Sequence, residues 1–165
     1  MQTQGEYKYK IGHGYDVHCL TENRKLILGG VEIPNGNIGL AGHSDADVLI
    51  HAVIDALLGA AGLGDIGEHF PDSQPKYKNI SSVILLKETA ELINKDYIIS
   101  NIDCTVVLEE PKLAGYKNAM REKLSAVLGL DANDVNIKAK TEEGLGFTGD
   151  KTGVKAYAVC LLLQK

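Results

Sequence analysis

The stretch Ser44–Ala61, SDADVLIHAVIDALLGAA, decides most of what can be read from this chain. From Ala46 onward it is apolar nearly all the way round: Val48, Leu49, Ile50, Ala52, Val53, Ile54, Ala56, Leu57 and Leu58. A helix that is apolar on every side is a buried one. Ser44, with Asp47 three residues on, reads as a capping-box start and Gly62 as a stop, so one long helix is expected over Ser44–Ala61. Asp47, His51 and Asp55 interrupt it at four-residue spacing and therefore stack on one face. Ionisable groups on a buried helix are costly unless paired, bound to a metal or turned toward a polar cleft. Plainer readings stand beside that one: His51 as a hydrogen-bonded core histidine, Asp47 as a cap alone, Asp55 as a polar contact to a neighbouring loop.

Asp16 and His18 supply the other half of the pattern. Within Tyr7–Leu20, the run Tyr15-Asp16-Val17-His18 alternates like a strand end. Residues i and i+2 of a strand share a face, about 6.5 Å apart. A carboxylate and an imidazole so placed can meet one divalent ion, with His51 as a third ligand. One Asp and two His with an open fourth position form a catalytic-type zinc set, not a closed structural one. His13 falls at an odd offset from His18, faces the other way and reads as a packing or loop residue.

Outward from these segments, Lys25–Ile33 reads as a strand or a bent hairpin around Gly29-Gly30, broken by Pro34-Asn35-Gly36. Gly62–Lys78 is a glycine- and proline-punctuated loop. Helical periodicity returns over Ser81–Asn94 and Leu113–Leu128, the latter stopped by Gly129. Ile98–Leu108, Val135–Ala139 and Gly153–Leu163 read as strands. Strands alternating with helices predict a sheet that carries helices, α/β or α+β.

The chain has 165 residues, which suits one domain over 1–165 with one core. Apolar residues make up 44% and charged residues 24%, so disorder is not expected. The net charge is −5 and no Lys/Arg-rich run occurs, which leaves no electrostatic footprint for nucleic acid or an anionic membrane. The longest apolar stretch, Val48–Leu63, is broken by His51 and Asp55 and is no membrane span. Cys19, Cys104 and Cys160 lie far apart and suggest neither a disulfide framework nor a CxxC site. Met1–Lys10 shows no secretory or transit pattern, so a cytoplasmic protein is expected.

GHGYDVH (Gly12–His18), GHSDADVLIHAVIDALLGAAGLGDIGEHFPD (Gly42–Asp72), EPK (Glu110–Lys112) and KAKTEEGLGFTG (Lys138–Gly149) resemble the 2-C-methyl-D-erythritol 2,4-cyclodiphosphate synthase family. The likeness runs from about Lys10 to Leu163, with the motifs in the same order. It implies an α+β, two-layer fold: a mixed sheet with helices on one face, the sheets packed inward in a homotrimeric prism with active sites between subunits. It also implies a lyase of the non-mevalonate isoprenoid pathway that cyclises 4-diphosphocytidyl-2-C-methyl-D-erythritol 2-phosphate and releases CMP.

By the same resemblance, Asp16, His18 and His51 are the ligands of one Zn²⁺ per site, and Glu143 helps hold Mg²⁺ or Mn²⁺ on the diphosphate. His43 and Thr141 occupy the positions credited with transition-state stabilisation, and Ser44 joins His43 at the substrate phosphate. Asp55 and Asp65 match groups that meet the erythritol hydroxyls, while Ile66, Gly67, Phe70, Pro71, Asp72, Ser73 and Gln74 line the substrate loop. Leu108, Glu109, Glu110, Pro111, Lys112, Leu113 and Ala114, with Lys140, Thr141, Glu142 and Glu143, form the cytidine and phosphate pocket, and Phe147 closes that side. Position 140 is Lys where some members carry Thr, and Asp150 stands where Arg is frequent. A phosphate nucleophile is already anionic at neutral pH, so no general base is needed and phosphoryl transfer rests on positioning and charge neutralisation.

Two rival readings belong to other classes. A zinc-dependent phosphohydrolase could use the same three ligands, but no HExxH-like ligand and base set is present. A non-catalytic trimeric module stabilised by zinc would have no use for His43, Thr141 and Glu143.

Overall fold

The computed structural model describes residues 8–165; residues 1–7, which include Tyr7 and most of the segment read for targeting signals, lie outside the described residues. The alternating N-terminal segment is a single long strand, β1 (Tyr9–Glu22). Gly12, Gly14, Asp16 and His18 fall at every second position and so share one face. That face lies against helix α1 (Val48–Ala61). A methyl group at Gly12 would sit 1.8 Å from the Ala56 carbonyl oxygen, and one at Gly14 1.9 Å from that of Ala52. Only glycine lets the helix backbone rest directly on the strand.

The helix starts later than the capping pattern suggests. Its N-cap is Asp47, not Ser44, and Gly62 ends it in the left-handed conformation as expected. Ser44 and Asp45 are drawn elsewhere by distant partners. The Arg24 guanidinium donates to the Ser44 carbonyl at 2.6 Å, and Asp45 accepts from Ser82. Ala46 then sits at a positive φ of 59°, which no helix can include.

The Lys25–Ile33 segment is a hairpin of β2 (Leu26–Leu28) and β3 (Val31–Ile33), turned by Gly29 and Gly30 at φ 58° and 72°. The short β4 (Ile38–Leu40) pairs with the end of β1 and gave no readable pattern. The punctuated loop holds α2 (Ile66–His69) and a 3₁₀ turn at Pro75–Tyr77. There follow α3 (Ser82–Ile93), β5 (Tyr97–Val107), α4 (Lys117–Leu128), β6 (Val135–Lys140), α5 (Gly146–Gly149) and β7 (Gly153–Gln164). Leu113–Tyr116 is a turn before α4, so that helix also begins later than its apolar pattern.

Five strands form one mixed sheet in the order β4-β1-β7-β5-β6, antiparallel except for the β5–β6 pair. The helix crossover through α4 is what allows β6 to run parallel to β5. The architecture is α+β. Val154, Ala156, Ala158, Cys160 and Leu162 of β7 point into the core with Ile102, Cys104 and Val106 of β5, under α1. The opposite face of the sheet is open and apolar: Tyr9 is 62% exposed, Ile11 74%, with Tyr15, Val17 and Val159 beside them. His13 lies on that open face, near Tyr157, and faces away from His18 as its offset implies. Among the described residues, no helix is long and apolar enough to cross a membrane.

Candidate metal centre and active site

The polar face of α1 resolves into three unlike positions. Asp47 is buried and closed. Its Oδ1 accepts from Gly29 N–H at 2.9 Å and Ile50 N–H at 3.0 Å, and its Oδ2 from Gly30 N–H at 2.6 Å. Burial still pushes its carboxyl up to about 6, against the pull of those amides. Asp55, two turns on, accepts from Ile66 N–H at 2.8 Å, so it ties α1 to α2.

His51, between them, faces the strand. Its Nδ1 lies 3.0 Å from Asp16 Oδ2, and His18 Nδ1 lies 3.1 Å from the same oxygen. These three side chains are the one His/carboxylate group, among the described residues, whose ligand atoms converge, all within 4.8 Å of one another. The i, i+2 spacing on β1 sends Asp16 and His18 to one side, and the close seat of α1 on Gly12 and Gly14 brings His51 to meet them. Burial raises the Asp16 carboxyl, but the two histidines outweigh it and bring the group down to about 2. Burial lowers the His51 imidazole, and the hydrogen bond and charge of Asp16 more than reverse that, so it is raised.

The donor set fits a divalent cation. His18 Nδ1 is buried without an aligned hydrogen-bond partner, and one carboxylate oxygen faces two imidazole nitrogens at hydrogen-bond distance. A cation would satisfy all three atoms together.

These three side chains sit in a cavity of about 430 Å³ that is also lined by His43, Ser44, Ile66, Gly67, Phe70, Pro71, Asp72 and Ser73. His43 Nε2 is buried there with no partner. Gly42, which opens the Gly42–Asp72 motif without an assigned role, lines the same cavity, as do Tyr77 and Leu85, which carry no pattern that would have singled them out. Asp55, Asp65 and Gln74 lie outside its lining, and Asp65 caps α2 through Glu68 N–H at 3.0 Å.

A second cavity of about 440 Å³ is lined by Leu108, Lys112, Leu113, Ala114, Lys140, Thr141 and Glu143, with Lys117 and Ala139 in addition. Thr141 Oγ1 donates to Glu143 Oε1 at 2.7 Å. Three lysines over an apolar floor suit a nucleotide carrying phosphates. Glu109, Glu110, Pro111, Glu142 and Phe147 stand outside this lining. Glu110 pairs with Lys151 at 2.8 Å, and Glu142 with Lys155 at 2.5 Å and with Thr148. The Lys155 ammonium lies 5.5 Å from the centre of the Phe147 ring. Within one chain, therefore, His43 belongs to the first cavity and Thr141 to the second.

The α+β sheet thus carries a carboxylate and two imidazoles that could hold a metal ion in one cavity, and a separate pocket lined by three lysines. The chain belongs to the YgbB family, whose model matches residues 9–163. A 2-C-methyl-D-erythritol 2,4-cyclodiphosphate synthase of Clostridium botulinum (strain Okra / Type B1) is 60% identical over 154 residues, 93% of this chain and 99% of its own length. The bifunctional IspDF of Campylobacter jejuni superposes with a TM-score of 0.93 at 43% identity, over 97% of this chain and 43% of that larger one. The IspF of Plasmodium falciparum, in a CDP complex, gives a TM-score of 0.82 at 35% identity, over 95% of this chain and 97% of that one.

Proposed function

We propose that this chain is a lyase that converts 4-diphosphocytidyl-2-C-methyl-D-erythritol 2-phosphate to 2-C-methyl-D-erythritol 2,4-cyclodiphosphate and CMP. The reading is carried by the convergence of Asp16, His18 and His51 in a chain that matches its family nearly end to end. An oxygen of the 2-phosphate attacks the β-phosphorus, the bond from that phosphorus to the bridging oxygen breaks, and CMP leaves with the electron pair. No water enters the product.

Asp16, His18 and His51 would hold Zn²⁺, and Glu143 would help hold Mg²⁺ or Mn²⁺, each ion neutralising phosphate oxygens when bound. The remaining work falls to the chain's own groups. His43 Nε2, unpartnered in the cavity, and Ser44 Oγ bind phosphate oxygens beside the metal ligands. Thr141 does the same from the other side, next to Lys112 and Lys140. Ile66, Gly67 and the Phe70–Gln74 segment wall off water, and Asp55 and Asp65 reach the erythritol hydroxyls. The cytidine lies over Leu108, Leu113 and Ala114, with Glu109, Glu110, Pro111, Glu142 and Phe147 shaping the rim.

His43 and Thr141 lie in separate cavities of one chain, and the open sheet face carries Tyr9, Ile11, Tyr15 and Val17. Both features support a homotrimer that buries those faces and joins the first cavity of one copy to the second of its neighbour. Light scattering at assay concentration should give three chains; a monomer with full activity would overturn that assembly. The reaction itself is tested by phosphorus NMR with substrate, Zn²⁺ and Mg²⁺. Equal amounts of CMP and a product with two coupled cyclic-diphosphate signals are expected, whereas CMP with a 2,4-bisphosphate, seen as two uncoupled phosphomonoester signals, would make the protein a phosphohydrolase.

A further inference from the structure

The nitrogen of His51 that faces away from Asp16 is also held. Nε2 lies 2.9 Å from Ser82 Oγ, at the buried first residue of α3. Ser82 is in turn gripped by Asp45: its hydroxyl lies 2.5 Å from Oδ1, and its backbone N–H donates to Oδ2 at 3.0 Å. A carboxylate accepts and does not donate, so the single Ser82 hydroxyl proton goes to Asp45. The lone pairs of that hydroxyl then face His51, and Nε2 must carry the ring proton. Nδ1 keeps its lone pair on the side of Asp16 and His18. Ser44 Oγ lies 3.3 Å from the same Nε2 and already accepts from Ala46 N–H at 3.0 Å, which makes it the weaker partner.

We infer that Asp45 and Ser82 are positioning residues for the metal centre: they hold the ring of His51 and the proton on Nε2 so that Nδ1 is presented to the cation. The inference rests on the proposal that Asp16, His18 and His51 bind a divalent ion. It explains why Asp45, one residue past the His43-Ser44 pair, turns away from the cavity and is absent from its lining. It also gives the N-terminus of α3 a task beyond packing, since Ser81, its N-cap, makes no side-chain cap bond there. Outer partners of metal-bound histidines are worth roughly 10–100-fold in affinity or activity.

The experiment is zinc affinity by competition with a chelating dye, on the full chain, with thermal unfolding followed in parallel. Ser82→Ala should weaken zinc binding roughly 10–100-fold while the protein stays folded, and Ser82→Thr, which keeps the hydroxyl, should recover most of it. Wild-type affinity in a folded Ser82→Ala protein would overturn the inference. A second measurement needs no variant: long-range ¹H–¹⁵N correlation on zinc-loaded wild-type protein should show a proton on His51 Nε2 and none on Nδ1. The reverse pattern would overturn the role of Asp45 and Ser82 while leaving the metal proposal intact. Failure of wild-type protein to bind zinc or cobalt at all would instead remove the metal proposal, and this one with it.

Discussion

Asp47 and His51 stand one turn apart on the same buried helix, yet one closes the structure and the other opens it to chemistry. Both lost their water on folding. Asp47 recovered three backbone amides, from Gly29, Gly30 and Ile50, and its acceptors are filled. His51 was set against a carboxylate that a neighbouring imidazole also faces, in a cavity. Polarity on a buried helix does not by itself mark a site. What marks it is a set of electron pairs left pointing at one another.

His51→Ala should separate the two turns most sharply. Zinc content and CMP release should fall by more than the ~100-fold that an outer partner can cost, with the unfolding midpoint little changed in metal-free protein. Retained zinc would end the ligand assignment. Asp47→Ala should do the opposite. Each buried amide left unpaired costs about 1–3 kcal/mol, so urea unfolding should show a loss of roughly 3 kcal/mol or more. Zinc affinity of the folded fraction should stay near wild type; a variant that kept its stability and lost zinc would reverse the two roles.

A smaller effect separates charge from hydrogen bonding at Asp47. Its carboxyl is raised in the native state from 3.8 to about 6. The folded protein therefore holds this proton more tightly than the unfolded chain, and that stabilisation, complete below pH ~4, is lost as pH rises through ~6. Asp47→Asn should flatten the stability profile of metal-free protein across that window; an unchanged profile would assign the dependence to other groups. The smallest change is expected at Asp55. With one amide to support, Asp55→Asn should cost about 1 kcal/mol and show itself mainly as a raised KM. A fall in zinc content instead would make Asp55 part of the metal centre.

Much of this was legible because two periodicities are strict. Alternation at Tyr15–His18 placed Asp16 and His18 on one face, and four-residue spacing placed His51 on the polar face of the helix; that Gly12 and Gly14 share the strand face under that helix emerged only from the fold. The start of that helix was misread because Ser44 and Asp45 answer to Arg24 and Ser82, 20 and 37 residues away, and no local rule sees such partners. β4 and α5, at three and four residues, span too few repeats of the strand or helix period to leave a readable pattern. Ser82 carried no sign of its role for a related reason: its hydroxyl matters only once α3 is packed beside α1. The separation of His43 from Thr141 is a property of the folded surface and has no trace in either motif.

Gly12 and Gly14 have one further consequence, which is dimensional. They act as a gauge block that sets how far the helix-borne imidazole stands from the strand-borne carboxylate. Restoring ordinary contact at ~3.5 Å, where a Gly14 methyl would meet the Ala52 oxygen at 1.9 Å, would lift α1 by more than an ångström. Metal–ligand distances tolerate about 0.2 Å. The calibre of the centre is thus machined by two absent methyl groups on β1, and an ion's fit is decided one layer beneath the atoms that would touch it.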